Sequence, residues 1–459
     1  MRCRWFRLAF ALGLLIASPA IAGPQDIRPH LKRGLELGKQ GKWSEAIAEL
    51  RRAVELQPAS AEAHYSLGVA LFWTRQLPAA RQEMERSLQL SPGLAEGHFF
   101  MGRILEESGE LDGAIVYFEK AVEHGARGAE VYRTLGNVLR KAGDFGGAIR
   151  VFREGGRVHP DDLELGNNLG LALIEVRDFE AAIAEYQGLL SRYPDYLPAK
   201  KNLGLAFIQA GDARAAEKIY RQILESGGTD PIAEYNLAIA VREQDQLQEA
   251  VRHFRRAVEL KPDFRDAHLE LGKALWQLGR AGEAEEALKH ATSLKPVPEE
   301  AGLALAGILR QRGDLEGAVA VLRESVRSAP ESFEALYALG VALRQQGKAE
   351  EATQFIQQAE TLRRTRESLD AAIFSTQVGI RQLETGDLEG AVRQFQATIS
   401  KAPEFAPAHY QLSLALRKLG RNEEAAAALR AATALDPGLR LCRSSLGLKA
   451  WLQRQPRGR

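Results

Sequence analysis

Residues 129–162 read AEVYRTLGNVLRKAGDFGGAIRVFREGGRVHPDD, and the fold follows from this stretch. Tyr132, Leu135, Gly136 and Leu139 share one face at helix spacing, which predicts a helix over 129–142. Gly143 stops it, because glycine takes up the left-handed conformation that ends a helix. A second helix follows with Ala148 and Phe152, and Pro160 closes it, since proline cannot extend a preceding helix. The same skeleton recurs on both sides. Ala148 belongs to a series spaced 34 residues apart that runs from Ala46 to Ala352, and Ala391 and Ala425 continue it after five extra residues. Twelve residues earlier runs a second series: Gly34, Gly68, Gly102, Gly136, Gly170, Gly204, Ala238, Gly272, Ala306, Gly340, Gly379 and Ser413. Only the smallest side chains occur in either series, which is what two helices need where they cross at close range. A fixed period of this length means a solenoid, so the expected fold class is all-α.

Eight other repeats place glycine where Gly143 stands, among them Gly41, Gly211 and Gly347, and eight place proline where Pro160 stands, among them Pro58, Pro262 and Pro403. The order Tyr132, Leu135-Gly136, Leu139, Ala148, Phe152, Pro160 closely resembles the tetratricopeptide repeat. The resemblance covers residues 27–438 as twelve repeats. It implies a right-handed α-solenoid, or superhelix, of helix-turn-helix units whose first helices line a concave groove that binds peptides. Ala126, Gly228 and Arg364 replace the closing proline and read as looser junctions.

The remaining segments divide as follows. Residues 1–22 have a basic lead (Arg2, Arg4, Arg7), an apolar run Leu8 to Ala17 and a small-x-small signal at Ala20-Ile21-Ala22, the layout of a secretory signal peptide cut before Gly23. Cys3 lies ahead of the apolar run, which speaks against a lipoprotein anchor. Residues 23–26 form a short linker and 27–366 hold repeats one to ten. The five extra residues, 367–371, read as an insertion that lengthens the second helix of repeat ten, with a hinge or a change of pitch as its consequence. Residues 372–438 hold repeats eleven and twelve. An amphipathic helix over 439–453, with Leu441, Leu446, Leu448 and Trp451, is placed to cap the open end, and a basic tail occupies 454–459.

Cleavage would remove three of the 61 basic residues and none of the 60 acidic ones, turning a formal charge of +1 into about −2. That balance gives no electrostatic reason to expect a nucleic-acid or anionic-membrane partner. No integral membrane segment is expected after cleavage. Only Cys442 would remain, so the mature chain has no internal disulfide, and it carries no Asn-x-Ser/Thr site. There is no phosphate-binding glycine loop, HExxH, GxSxG or CxxC, and neither an enzyme activity nor a cofactor is expected. His30, His64, His98, His268 and His409 share the fourth place of their repeats. Neighbouring helices lie ~8–10 Å apart, too far for one zinc to take two of them at ~2 Å. They read as interface residues, with no metal site.

The resemblance places the groove at roughly the second, fifth, sixth, ninth, twelfth and thirteenth residues of each repeat. Near the N-terminus these are Tyr65, Phe72, Trp73, Phe99 and Phe100, aromatics of the kind that anchor binding. Phe72 and Trp73 are adjacent and point about 100° apart on a helix, so at least one of them is expected to reach the surface. In the middle, Asn168, Asn202 and Asn236 hold the sixth place of three successive repeats. An asparagine donates and accepts together, so it grips a peptide backbone whatever side chains the peptide carries. This row resembles the asparagine ladder of the O-linked N-acetylglucosamine transferases. Arg133 and Asn137 stand upstream and Lys201 beside the row. Arg133, Asn137 and Asn168 also match three places of the two-carboxylate clamp of chaperone-binding tetratricopeptide domains. That match fails where Pro198 and Asn202 occupy places the clamp fills with bases. Further on, Tyr235, Trp276, Tyr337 and several arginines form a diffuse mixed zone.

The expected function is that of an exported scaffold, periplasmic if the source is bacterial. It would hold a partner protein's peptide or helix in its groove, in envelope assembly or secretion. Glycan binding by the aromatic residues within a polysaccharide export apparatus is the alternative.

Overall fold

The computed structural model describes residues 26–227, 229–294 and 297–436, and among them are 23 α-helices and no strand. The expected leader (1–22), the capping helix (439–453) and the basic tail lie outside the described residues. The chain forms two compact units, Met1–Val176 and Arg177–Arg459.

In the first unit the helices are α1 (Arg28–Lys39), α2 (Trp43–Leu56), α3 (Ala61–Trp73), α4 (Leu77–Leu90), α5 (Ala95–Glu107), α6 (Leu111–Glu123), α7 (Ala129–Lys141), α8 (Phe145–Val158) and α9 (Leu163–Glu175). Each packs on the next in chain order, and successive first helices also touch, α1 on α3, α3 on α5 and α7 on α9. The second unit begins with α10 (Phe179–Arg192), α11 (Leu197–Ala210), α12 (Ala213–Glu225), α13 (Pro231–Arg242), α14 (Leu247–Leu260), α15 (Arg265–Gln277) and α16 (Ala281–Ser293). It continues with α17 (Glu299–Gln311), α18 (Leu315–Ser328), α19 (Phe333–Gln345), α20 (Ala349–Glu384), α21 (Leu388–Lys401), α22 (Ala406–Lys418) and α23 (Asn422–Leu435).

The glycine series receives the large residue of the second helix. A methyl on Gly136 would sit 2.3 Å from Phe152, one on Gly204 would sit 2.6 Å from Tyr220, and one on Gly379 would sit 2.5 Å from Phe395. The alanine series from Ala46 to Ala352 lies at 0% exposure beside these contacts. Between the two helices, the glycine after the first takes a φ between 73° and 88°, as Gly279 and Gly386 do. Three repeats have no glycine there, and Arg75, Arg177 and Asp245 adopt φ of 61–62° in its place. The turn geometry is imposed by the stack and does not wait for the favourable residue. An aspartate follows the turn in several repeats and caps the second helix, as Asp144 accepts from the Gly147 N–H at 2.8 Å.

The fourth-place histidines join repeats. The Nε2–H of His64, His98, His268 and His409 donates to the carbonyl of Pro58, Pro92, Pro262 and Pro403, each at the close of the preceding repeat, at 2.7–3.1 Å. Within a repeat the fourth place faces the twenty-third: His30 meets Glu49 and His64 meets Glu83, while in repeat seven the pair is exchanged and Glu234 meets His253.

The insertion does not end the second helix of repeat ten a turn later. Helix α20 runs 36 residues without a break, through the insertion and on to the end of the first helix of repeat eleven. Thr361 to Ala372 contains no Gly or Pro, and Arg363 pairs with Glu367 one turn on at 2.9 Å, so nothing stops it. Residues 363–371 are exposed all round. The hydrophobic core that reaches Ala352 and the one that starts at Ala372 are separate clusters.

Two substitutions, one at the helix crossing and one in the turn, are expected to act with opposite sign. Gly136→Ala forces a methyl into the Phe152 ring and is expected to destabilise by about 1–3 kcal/mol. Asp245→Gly relieves a left-handed L-residue and is expected to stabilise by about 1 kcal/mol. Urea midpoints of the two variants check this, and a shift in the same direction for both would contradict the packing described.

Candidate functional site

The first helices of each unit carry the sequence-predicted residues. In the first unit, α3 and α5 contribute an aromatic floor. Phe72 is buried and Trp73 half-buried, so of the adjacent pair it is Trp73 that reaches the surface. Trp73 packs edge-on against Phe72 at 5.6 Å, and Phe72 against Phe100 at 6.1 Å. Phe100 in turn packs edge-on with Tyr65 at 5.8 Å and with Phe99 at 5.8 Å. Edge-to-face contacts of this kind add about 0.5–1.5 kcal/mol each beyond area burial. Trp73 also stacks on Trp43 from α2, centroids 6.1 Å apart. Burial first, and Glu96 second, hold the Tyr65 phenol above its ordinary pKa.

A row of charge borders this floor. The Arg103 guanidinium lies over the Phe72 ring at 5.7 Å and pairs with Glu106 at 3.5 Å, and Glu106 accepts from Lys141 at 2.6 Å. Next to them Glu130 is 8% exposed, and its Oε1 has no hydrogen-bond partner in the chain. The same is true of the buried Trp73 Nε1 and Arg140 Nε. One acceptor and two donors are therefore desolvated without being paired, at a cost of about 1–3 kcal/mol each. Sequence reasoning found the aromatics but passed over Glu130 and Arg140, charges at the second and twelfth places, which are exposed or half-buried in most other repeats.

The basic residues expected in the groove already hold carboxylates of the chain. Arg133 on α7 pairs with Asp162 at 3.1 Å and Glu164 at 2.7 Å. Lys201 on α11 pairs with Asp230. Both aspartates also cap the following helix, Asp162 accepting from the Leu165 N–H at 3.0 Å and Asp230 from the Ile232 N–H at 2.9 Å.

Asn137 and Asn168 are half-buried in the first unit and hold no hydrogen bond within the chain, and the same holds for Asn236 on α13 in the second. Asn202 stands one repeat before Asn236 on α11. Tyr235 packs against Phe264 at 5.0 Å and Phe254 at 5.8 Å, and its phenol is pushed up to about 12 by burial first and then by Glu270 and Asp266. Beside it Arg242 pairs with Glu270, and Lys273 bridges Glu270 at 3.0 Å and Glu300 at 2.7 Å. Trp276 is 37% exposed and Tyr337 47%. Among the described residues, no three His, Cys, Asp or Glu side chains converge as a metal site would require. No described helix is long and apolar enough to cross a membrane.

A sequence profile described as tetratricopeptide repeat matches residues 31–95, 98–162, 167–231, 235–297 and 379–439, well over half of the chain. Residues 299–398 match a profile described as the TT21 fifth ARM repeats domain. No curated protein matches the chain. Among solved structures, a tetratricopeptide repeat protein from Parabacteroides merdae is 17% identical, with 54% of this chain and 98% of that one covered and a TM-score of 0.46. The MamA RS-1 ArsTM double mutant is 22% identical over 37% of this chain and 96% of that one, TM-score 0.34. The APC/C hetero-tetramer Cut9-Hcn1 is 13% identical over 93% and 95%, TM-score 0.31.

The buried Glu130 carboxyl gives a test of this face. Burial lifts its pKa above the ordinary 4.5, with Arg103 and then Arg133 pulling the other way. The folded chain thus keeps a proton that the unfolded chain has lost, and stability falls as pH rises from about 4.5 through the lifted value. Glu130→Gln removes that fall. Its urea midpoint is expected above wild type at pH 7, with the gap closing at about pH 4. Identical pH profiles for the two proteins would show that the carboxylate is not penalised.

Proposed function

Because the chain belongs to the tetratricopeptide repeat family, we propose that it is a non-catalytic scaffold that holds an extended segment or helix of a partner protein against its first helices. The supporting observation is the first-unit face, where Trp73 reaches the surface beside Phe72 and the side chains of Asn137 and Asn168 carry no hydrogen bond within the chain. An apolar anchor residue on the partner would cover the rings. The open amides of Asn137, Asn168 and Asn236 offer backbone contacts that do not depend on the partner's sequence. An acidic C-terminus is the less favoured ligand, since Arg133 and Lys201 already hold carboxylates. The leader-like layout of the first 22 residues supports export, to the periplasm in a bacterium, and with it a role in envelope assembly or secretion.

Affinity capture with the mature chain from its native compartment, followed by titration of the captured protein, tests the reading. The triple variant Asn168→Ala, Asn202→Ala, Asn236→Ala is expected to lose at least ten-fold in affinity with unchanged circular dichroism. Trp73→Ala is expected to lose as much through the aromatic floor. Unaltered affinity in both variants would remove the first-helix face as the binding surface.

A further inference from the structure

The fourth-place histidines have two regular partners, and in repeat eight one of the two is missing. In repeat two the Nε2–H of His64 donates to the Pro58 carbonyl at 3.1 Å, and Nδ1 meets Glu83, the twenty-third residue, at 2.6 Å. Repeat one makes the second contact between His30 and Glu49 at 2.7 Å, and repeat seven makes it with the residues exchanged, Glu234 on His253 at 2.7 Å. His268 keeps the first bond, to the Pro262 carbonyl at 2.9 Å. Its twenty-third place is Ala287. The residue is 8% exposed, and its Nδ1 has no hydrogen-bond partner in the chain. His98 shares this lack, but there Tyr117 fills the place, its ring 5.8 Å from the imidazole. Repeat twelve has Ala428 at the place, and His409 is less deeply buried.

At this point the surface opens into a cleft of about 660 Å³, lined from α14, α15 and α16, with His268 and Ala287 in its wall. That volume lies within the range of small-molecule sites, about 300–1,000 Å³. Val258, Leu271 and Leu275 supply an apolar side. The charged groups facing the cleft are Arg255 from α14 and Glu283, Glu286, Lys289 and His290 from α16, and α17, which also touches α15, adds none. Two of the bases are taken, Arg255 by Glu283 and Lys289 by Glu285 at 2.7 Å. The His290 ring stacks on His268 at 5.3 Å and makes no hydrogen bond within the chain. Two imidazoles therefore stand side by side in the cleft, and no carboxylate of the chain meets either.

We propose that this cleft binds a small monocarboxylic acid with an apolar chain. The carboxylate takes the place that Glu49 and Glu83 fill in repeats one and two, on His268 Nδ1 with the His290 ring beside it. The apolar chain lies against Val258, Leu271 and Leu275. The Pro262 bond commits the Nε2–H, so a neutral His268 has only a lone pair at Nδ1. Burial first, and His290 after it, hold this ring below the ordinary 6.5 against the pull of the Pro262 bond. A carboxylate therefore binds together with one proton from solvent, which lies between Nδ1 and the carboxylate oxygen, as one must in the His64–Glu83 contact. Glu286 is exposed and has no partner, so a second negative charge on the ligand is disfavoured.

Calorimetric titration with octanoate tests this, with octanol and acetate as controls for the charge and the chain. Octanoate is expected to bind, and each control at least about ten-fold more weakly, as loss of a charge-assisted bond or of the apolar contact implies. Two buffers of different ionisation heat are expected to show close to one proton taken up per octanoate. Affinity is expected to rise up to about ten-fold as the pH falls from about 7.5 to 6.5. Ala287→Glu returns the pair of repeats one and two, and is expected to abolish octanoate binding while raising the urea midpoint. His290→Ala, at an exposed residue, is expected to weaken octanoate without moving that midpoint. No octanoate binding at millimolar concentration would overturn the proposal. So would octanol binding as tightly, the absence of proton uptake, or full octanoate affinity in either variant.

Discussion

The distance between the two helices of a repeat sets everything else in this chain. At Gly136 even one methyl group would lie 2.3 Å from the Phe152 ring, so the ring fills the space that a side chain would otherwise take. Helices normally pack ~8–10 Å apart, and the approach reaches the short end of that range only when one partner contributes no side chain at the crossing. The bulky residue then disappears from water: Phe118, Phe152, Tyr186, Tyr220, Phe254 and Phe395 are all below 2% exposed. Burying such a ring favours folding by about 1.5–3 kcal/mol. Repeated through the stack, this contact explains how the fold is held without any disulfide among the described residues.

A stack of this kind is stabilised only by contacts between neighbours, so each repeat needs one on either side. The junctions are made in several ways at once: the histidine-to-proline-carbonyl bonds, the buried third and seventh residues, and ion pairs at a regular spacing. Arg221, Arg255 and Arg323 occupy the same place in three repeats, and each meets the glutamate 28 residues on, Glu249, Glu283 and Glu351. Exposed pairs of this kind are worth about 0–1 kcal/mol apiece, so they select register more than they hold it. The junction within α20 lacks all three. Its helix goes on where others turn, and the cost appears as apolar surface left in water at Phe374.

The periodic part of this was legible in the sequence because a 34-residue spacing reports a repeated contact directly. Gly136 and Phe152, like Arg75 and Asp245, could be placed by counting. The fusion at α20 was only half legible. The five extra residues and the missing Gly and Pro were visible, but a lengthened helix and a continuous one differ by whether the chain must turn back, which local sequence does not encode. The state of Arg133 and Lys201 was hidden for a related reason. Their partners Asp162 and Asp230 lie 29 residues away, a separation that means nothing on a single helix and becomes contact only once the next repeat is stacked. Counting placed Arg133 and Lys201 in the groove, but it registers charges and not the bonds they already make.

That difference bears on what the first-helix face can recognise. Asp162 and Asp230 each do two things: they cap the next helix and they neutralise the base at the fifth place of their own repeat. An incoming carboxylate would gain Arg133 or Lys201 only by displacing one of them. The electrostatic exchange is nearly even, and any disturbance of the cap subtracts about 0.5–2 kcal/mol. An amide such as Asn137 or Asn236 has no internal bond to give up, so whatever it forms with a ligand counts in full against its bond to water. A segment bound on this face as proposed would therefore gain more from backbone contacts than from charge. A scaffold built so would read the shape and extension of a segment more than its sequence.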